Sequence, residues 1–137
     1  MSRLANPNFR SVYNGLDETW NGRAAQLNGR LAAQDLPVRV SNLSSIWTVH
    51  YTTPSRYNWM LQYYLRAEGL ALSWVGTGRL IFSLNYTDAD FAEVTKRFAA
   101  AATRMKQDGW WWRDASLTNK GIKRRILKEM VAAKFRR

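Results

Sequence analysis

Apolar side chains at Phe9, Val12, Tyr13, Leu16, Trp20, Ala24, Leu27 and Leu31 recur at steps of three and four. The spacing predicts one long amphipathic helix from Asn8 to Gln34. Pro7 stands at its entry, where a missing N–H costs nothing. Gly15, Gly22 and Gly29 weaken it, each by up to about 1 kcal/mol relative to alanine. The period then changes. Pro37 to Val40 alternates and is β-branched, Asn42 offers a polar turn, and Ser45 to Tyr51 is strand-like with Ile46, Trp47 and Val49.

Thr52, Thr53, Pro54 and Ser55 break that strand and cap a helix from Tyr57 to Glu68, which Gly69 ends. A short apolar piece, Leu70 to Leu72, leads through Gly76, Thr77 and Gly78 into a strand from Arg79 to Leu84. Thr87, Asp88 and Asp90 supply the capping oxygens and negative charge that favour a helix start, and Phe91, Val94, Phe98, Ala101, Ala102 and Met105 form one face of the helix that follows. A terminal helix spans Leu117 to Phe135. The predicted order is α-β-β-α-β-β-α plus that C-terminal basic helix. Short strands joined by close turns and separated by helices give an α+β fold, with a small antiparallel sheet of three to four strands packed by helices on one face.

Composition narrows the chemistry. At 137 residues and 46% hydrophobic, one domain with a real core is expected. There is no cysteine and His50 is the sole histidine, so a structural zinc, a zinc protease and a Ser-His-Asp or Cys-His hydrolase would each rest on one residue. We set those classes aside. No apolar run approaches the roughly 18 residues that span a bilayer, and the start MSRLANPNF lacks a signal-peptide stretch, so a soluble, cytoplasmic protein is expected.

The net charge of +11 invites a nucleic-acid reading until it is located. Residues 1–112 carry 12 basic and 8 acidic side chains, a net of +4, whereas residues 113–137 carry 9 basic and 2 acidic, a net of +7. We therefore expect a body over 1–112, bounded by Gly109 and the run Trp110, Trp111, Trp112, and a basic amphipathic extension over 113–137.

The order of motifs in the body resembles a known family. Gly69 with Leu70-Ala71-Leu72, the Gly76-Thr77-Gly78 turn, Leu80-Ile81-Phe82-Ser83 and Tyr86-Thr87-Asp88-Ala89-Asp90-Phe91 are similar to the C-terminal small domain of class III pyridoxal-phosphate aminotransferases. The pattern lies nearest to glutamate-1-semialdehyde 2,1-aminomutase. Leu36-Pro37-Val38-Arg39-Val40 followed by Ser44-Ser45-Ile46-Trp47 is similar to that family's hairpin, and the long first helix corresponds to the one that leaves its large domain. The resemblance covers roughly residues 9–108. It departs from the aminomutase pattern at Gly78, where that pattern has a glutamate.

The resemblance implies a small-domain module whose partner is an aminotransferase large domain, in cis or in trans, or a second copy of itself. In that family the large domain carries the Schiff-base lysine and the cofactor site, so pyridoxal phosphate belongs to the parent enzyme. The lysines here, Lys96, Lys106, Lys120, Lys123, Lys128 and Lys134, fall on polar helix faces or in the tail. No cofactor and no catalysis are expected of this chain alone. Arg79, on a strand after Gly78, matches the position of a carboxylate-binding arginine in several such enzymes. A solvated charge beside a strand is the plain alternative. Ser44 and Ser45 match the family's Gly-Ser pair at a substrate entrance, or are turn residues only. His50, with no carboxylate nearby in sequence, reads as structural.

Trp47, Trp59, Tyr63, Tyr64 and Trp74 could stack bases, but at these periods aromatics serve a core or a lost interface. The three tryptophans in a row cannot all be buried on one face. In the tail, Ile122, Ile126, Leu127, Met130, Val131, Ala133 and Phe135 are expected to line one stripe. Lys120, Lys123, Arg124, Arg125, Lys128, Lys134, Arg136 and Arg137 are expected opposite. That helix could pack on the body with its basic face solvated, dock an acidic partner, or contact nucleic acid or anionic lipid.

Overall fold

The three- and four-residue apolar spacing yields α1 (Pro7–Ala33), and the alternating stretches after it yield an antiparallel hairpin of β1 (Val38–Leu43) and β2 (Ile46–Tyr51). A 3-10 turn, Asn58–Met60, opens α2 (Leu61–Ala67), after which come β3 (Arg79–Ile81), α3 (Asp88–Gln107) and α4 (Asn119–Phe135). The structure, a computed structural model, describes residues 7–72 and 78–135. Trp74, the Gly76-Thr77 part of the turn, Arg136 and Arg137 lie outside the described residues.

The sheet is antiparallel in the order β1-β2-β3, and the fold is α+β as expected. Two local readings shift. Asn42 is not the turn: it pairs with Trp47 inside the hairpin, and the turn is Ser44-Ser45, with Ser44 at φ 49°. Leu70–Leu72 is not a strand but an irregular segment leaving α2.

Helices α1, α2 and α3 cover one face of the sheet. Trp20, Leu27 and Leu31 from α1, Val38, Val40 and Trp47 from the hairpin, Leu61 and Leu65 from α2, and Phe91, Phe98 and Met105 from α3 form one buried cluster. At its centre Trp47 lies 6.3 Å from Trp20, 5.4 Å from Phe82 and 4.9 Å from Phe91. These edge-on and tilted contacts suit the ring quadrupoles. Arg23 closes the cluster's rim, its guanidinium 4.8 Å from the Trp20 ring and 5.2 Å from that of Phe91. It also donates to Asp88 Oδ1 and to the Tyr86 carbonyl, tying α1 to the start of α3.

The expected cap of α3 is a full capping box. The Thr87 hydroxyl accepts from the Asp90 N–H while the Asp90 carboxylate accepts from the Thr87 N–H, and these bonds hold the Asp90 carboxyl below its usual range.

The first three helices end alike. In each, a residue at positive φ lets the next N–H reach back to a carbonyl five residues earlier: Leu36 to Leu31, Leu70 to Leu65 and Trp110 to Met105. Gly69 and Gly109 hold that conformation at no steric cost, but α1 uses Asp35 at φ 49°. Asp35→Gly is therefore expected to stabilise the protein by about 0.5 kcal/mol, the relief at α1 outweighing the added freedom of the unfolded chain. A thermal melt with a lowered Tm would remove this account.

Only the C-terminal part of α1 lies over the sheet. A helix of 27 residues is about 40 Å long. Its Val12 and Tyr13 are more than half exposed, whereas Trp20 to Leu31 supply the buried face. After Gly109, the Trp111 indole donates to the Ala102 carbonyl and its ring lies 6.1 Å from that of Tyr51, whose hydroxyl burial pushes up to about 12. Trp110 and Trp112 remain partly exposed against Tyr57.

Candidate functional site

Strand alternation that buries Val38, Val40, Trp47, Val49 and Leu80 turns Arg39, Ser41, Leu43, Ile46, Thr48, His50, Arg79 and Ile81 to the opposite side. Among the described residues no helix covers that side. The register sets Arg39 across from His50, Ser41 from Thr48, and Thr48 from Arg79, while Leu43 and Ile81 flank Ile46. The open face thus has a cationic and polar half and an apolar corner, where Leu43, Ile46 and Ile81 are 79%, 43% and 68% exposed. A shallow depression of about 350 Å³ runs between the halves, lined in part by Ser41, Ile46, Thr48, His50 and Arg79.

Arg79 is exposed on this face, and among the described residues no carboxylate lies within ion-pair distance of it. Its backbone is set by Gly78, whose carbonyl accepts from the Val49 N–H and whose φ of 63° turns the chain into β3. Ser44 and Ser45 sit at the hairpin tip, beyond Ile46, and neither lines the depression. The Ser45 carbonyl accepts from the Phe82 N–H and the Ser44 carbonyl from the Asn42 side chain. Ile81, not Arg79, is the β3 residue next to that tip, so the serines and the arginine border one face without converging.

His50 faces Arg39, and among the described residues no carboxylate orients it. Among the described residues there is no cluster of three or more His, Asp or Glu suited to a metal. Arg39 was passed over in the sequence. Its place between two buried valines was the signal that it would project outward beside Arg79.

The tail cations are elsewhere. Lys120, Lys123, Arg124 and Lys128 are exposed on α4, and Arg125 lines a small pocket of about 180 Å³ with Arg56, Tyr57, Trp112, Ile122 and Ile126. Glu129 accepts two hydrogen bonds from Arg56, holding α4 to the segment before α2. No α4 residue lines the depression on the sheet.

Of the aromatics, Trp47 is core. Trp59 and Tyr63 are exposed and pack edge-on at 5.6 Å, and the Tyr64 hydroxyl donates to Asp108. Among the described residues no helix is long and apolar enough to cross a membrane.

No known family profile and no curated protein matches the chain. Among solved structures, a β-phenylalanine aminotransferase from Variovorax paradoxus matches with a TM-score of 0.53 at 22% identity, over 74% of this chain and 25% of that one. The likeness is one of fold, and this chain spans about a quarter of the length of that enzyme. It agrees with the aminotransferase resemblance at that level: the chain has an α+β fold that recurs as part of an aminotransferase.

Proposed function

We propose that this chain is a small-domain module of a pyridoxal-phosphate-dependent class III aminotransferase, which docks the open face of its sheet onto a large cofactor-binding domain. The observation that carries this reading is the sheet covered on one face only, in a fold shared with a quarter of an aminotransferase. The exposed Val12 and Tyr13 fit the same picture, since a helix that emerges from a larger domain would bury its first turns there. A body over 1–112 and an extension over 113–137 remain the division we favour.

Within that assembly Arg79 would offer a bidentate guanidinium to a substrate carboxylate, with Arg39 adding positive charge on the same face. Ser44 and Ser45 would border the entrance. A transaminase relation is preferred over the aminomutase because Gly78 adopts φ 63°, a conformation that a glutamate side chain at this position would strain. Pyridoxal phosphate would supply the electron sink from the partner domain. All six lysines of this chain are exposed, so none sits in the enclosed site that Schiff-base chemistry uses. The alternative, a small basic nucleic-acid-binding or protein-interaction module, loses Trp47 to the core as a stacking ring.

Two measurements test the reading. Borohydride reduction after incubation with pyridoxal phosphate is expected to give no stoichiometric lysine adduct; such an adduct would sink the proposal. With a class III large domain supplied in trans, the chain is expected to form a complex that Ile46→Asp weakens by about tenfold or more without lowering the isolated chain's Tm. Arg79→Lys should leave that complex intact and raise KM for the amino-acid substrate. An unchanged KM returns Arg79 to a solvated charge.

A further inference from the structure

The tail departs from the expected stripe. At 3.6 residues per turn, Ile122, Ile126 and Glu129 fall on one side of α4; Ile122 and Ile126, with Arg125, line the pocket shared with Arg56, Tyr57 and Trp112, and Glu129 accepts from Arg56. Leu127, Met130, Val131 and Phe135 fall away from that side, and so do Lys123, Arg124, Lys128 and Lys134. Apolar and cationic positions therefore share the outward side and alternate along it. Leu127, Met130, Val131 and Phe135 on that side are 62%, 65%, 48% and 85% exposed, with Lys128 and Lys134 set among them.

Charge selects among occupants of this surface. Glu129 is the one carboxylate in α4, and Arg56 holds it on the opposite side, so the outward side is purely cationic. A second copy would bring like charge to like charge. A protein groove that buries the apolar residues would also have to strip water from the lysines and arginine interleaved with them. A lipid interface imposes no such cost, because Lys and Arg stems lie along the acyl boundary while their heads reach the phosphates. Nucleic acid would use the cations and leave Leu127, Met130, Val131 and Phe135 unpartnered.

We propose that the outward side of α4 is a docking surface for an anionic lipid bilayer. Lys123, Arg124, Lys128 and Lys134 reach headgroup phosphates, and Leu127, Met130, Val131 and Phe135 between them enter the interface. This is independent of the aminotransferase reading, since the open sheet face plays no part in it.

Co-sedimentation of the full chain with vesicles tests the proposal. Vesicles of phosphatidylcholine containing about one-third phosphatidylglycerol are expected to bind at least about tenfold more tightly than phosphatidylcholine alone, with affinity falling as salt is added. The double variant Leu127→Ser, Phe135→Ser changes two exposed side chains and is expected to keep the parent Tm. It should weaken vesicle binding by about tenfold, as should Arg124→Glu with Lys128→Glu. Equal binding to neutral and anionic vesicles would overturn the proposal, as would vesicle binding that the serine pair leaves unchanged. A chain that ignores vesicles but binds polyglutamate or duplex DNA would assign the surface to an acidic protein or to nucleic acid instead.

Discussion

Trp47→Ala is expected to lower the folding stability by about 3–5 kcal/mol, the largest loss from any single truncation in the chain. Trp47 is fully buried and touches rings from α1, from the segment after β3 and from α3, so one side chain joins three pieces of the fold. Alanine would remove the apolar transfer energy and leave a cavity that Trp20, Phe82 and Phe91 cannot close without leaving their own contacts. Against a total of roughly 5–15 kcal/mol for a domain, the variant would be marginal at room temperature. The buried indole N–H of Trp47 has no hydrogen-bond partner among the described residues, so Trp47→Phe removes an unsatisfied donor along with some volume. It should cost less, about 1–2 kcal/mol. Urea denaturation measures both. Trp59→Ala, at an exposed ring, is the control expected to fall within about 0.5 kcal/mol of the parent. A Trp47→Ala loss no larger than this control's would mean that the aromatic cluster is not what holds the helices to the sheet.

The second large effect is expected at Asn28. Its side-chain amide lies on α1 facing the outer edge of β1, where Nδ2 donates to the Val40 carbonyl and Oδ1 accepts from the Val40 N–H, both at 2.8 Å. The carboxamide thus pairs with β1 as a neighbouring strand would. It satisfies two backbone groups that the packing of α1 screens from water, and it blocks that edge against a foreign strand.

Asn28→Leu leaves both groups unpaired and is expected to cost about 2–4 kcal/mol, with faster hydrogen exchange at the Val40 amide. Asn28→Asp keeps an acceptor but sets a carboxylate against the Val40 carbonyl. Only the protonated acid can both donate and accept there, so its folded-state pKa is expected to lie above the unfolded value. The stabilisation from that form is then present below the unfolded pKa and lost as pH rises through the folded one. The stability gap between Asn28→Asp and the parent should accordingly narrow toward acid pH. A gap that stays constant with pH would mean that the pairing is not sensed by the aspartate.

Both residues mark how far a one-dimensional reading reaches. The helical periods placed Trp20, Ala24, Leu27 and Leu31 on one face and they are buried together, because a 3.6-residue repeat is a property of neighbours in the chain. The capping box at Thr87 was legible for the same reason, since its two partners are three residues apart. Asn28 was invisible: nothing local distinguishes an asparagine that pairs with a strand twelve residues on from one that faces solvent. Arg23, bonded to Tyr86 and Asp88, is a still longer case. Leu70–Leu72 looked like a strand by composition, yet the Leu70 N–H is spent on closing α2. On the candidate site, Arg79 was legible as a strand-borne arginine. Its alignment with Thr48 and the company of Arg39 and Ile81 required the register.

By itself the sequence determined the class of fold, the helices and the capping box of α3, most of the buried face, and the division of the +11 charge between a +4 body and a +7 tail. These are set by short-range periodicity and by counting. The cap expected from Thr52 to Ser55 is absent at α2. Only the tertiary structure decided that the sheet is covered on one side and that its open side gathers Arg39, His50 and Arg79 beside an apolar corner. It also decided that α4 turns Lys123, Arg124, Lys128 and its exposed apolar residues the same way, because packing against Tyr57 and Trp112 and the Arg56–Glu129 pair choose which side of that helix faces the body. Which face is buried depends on contacts between residues far apart in the chain, and a local pattern carries no record of its partner.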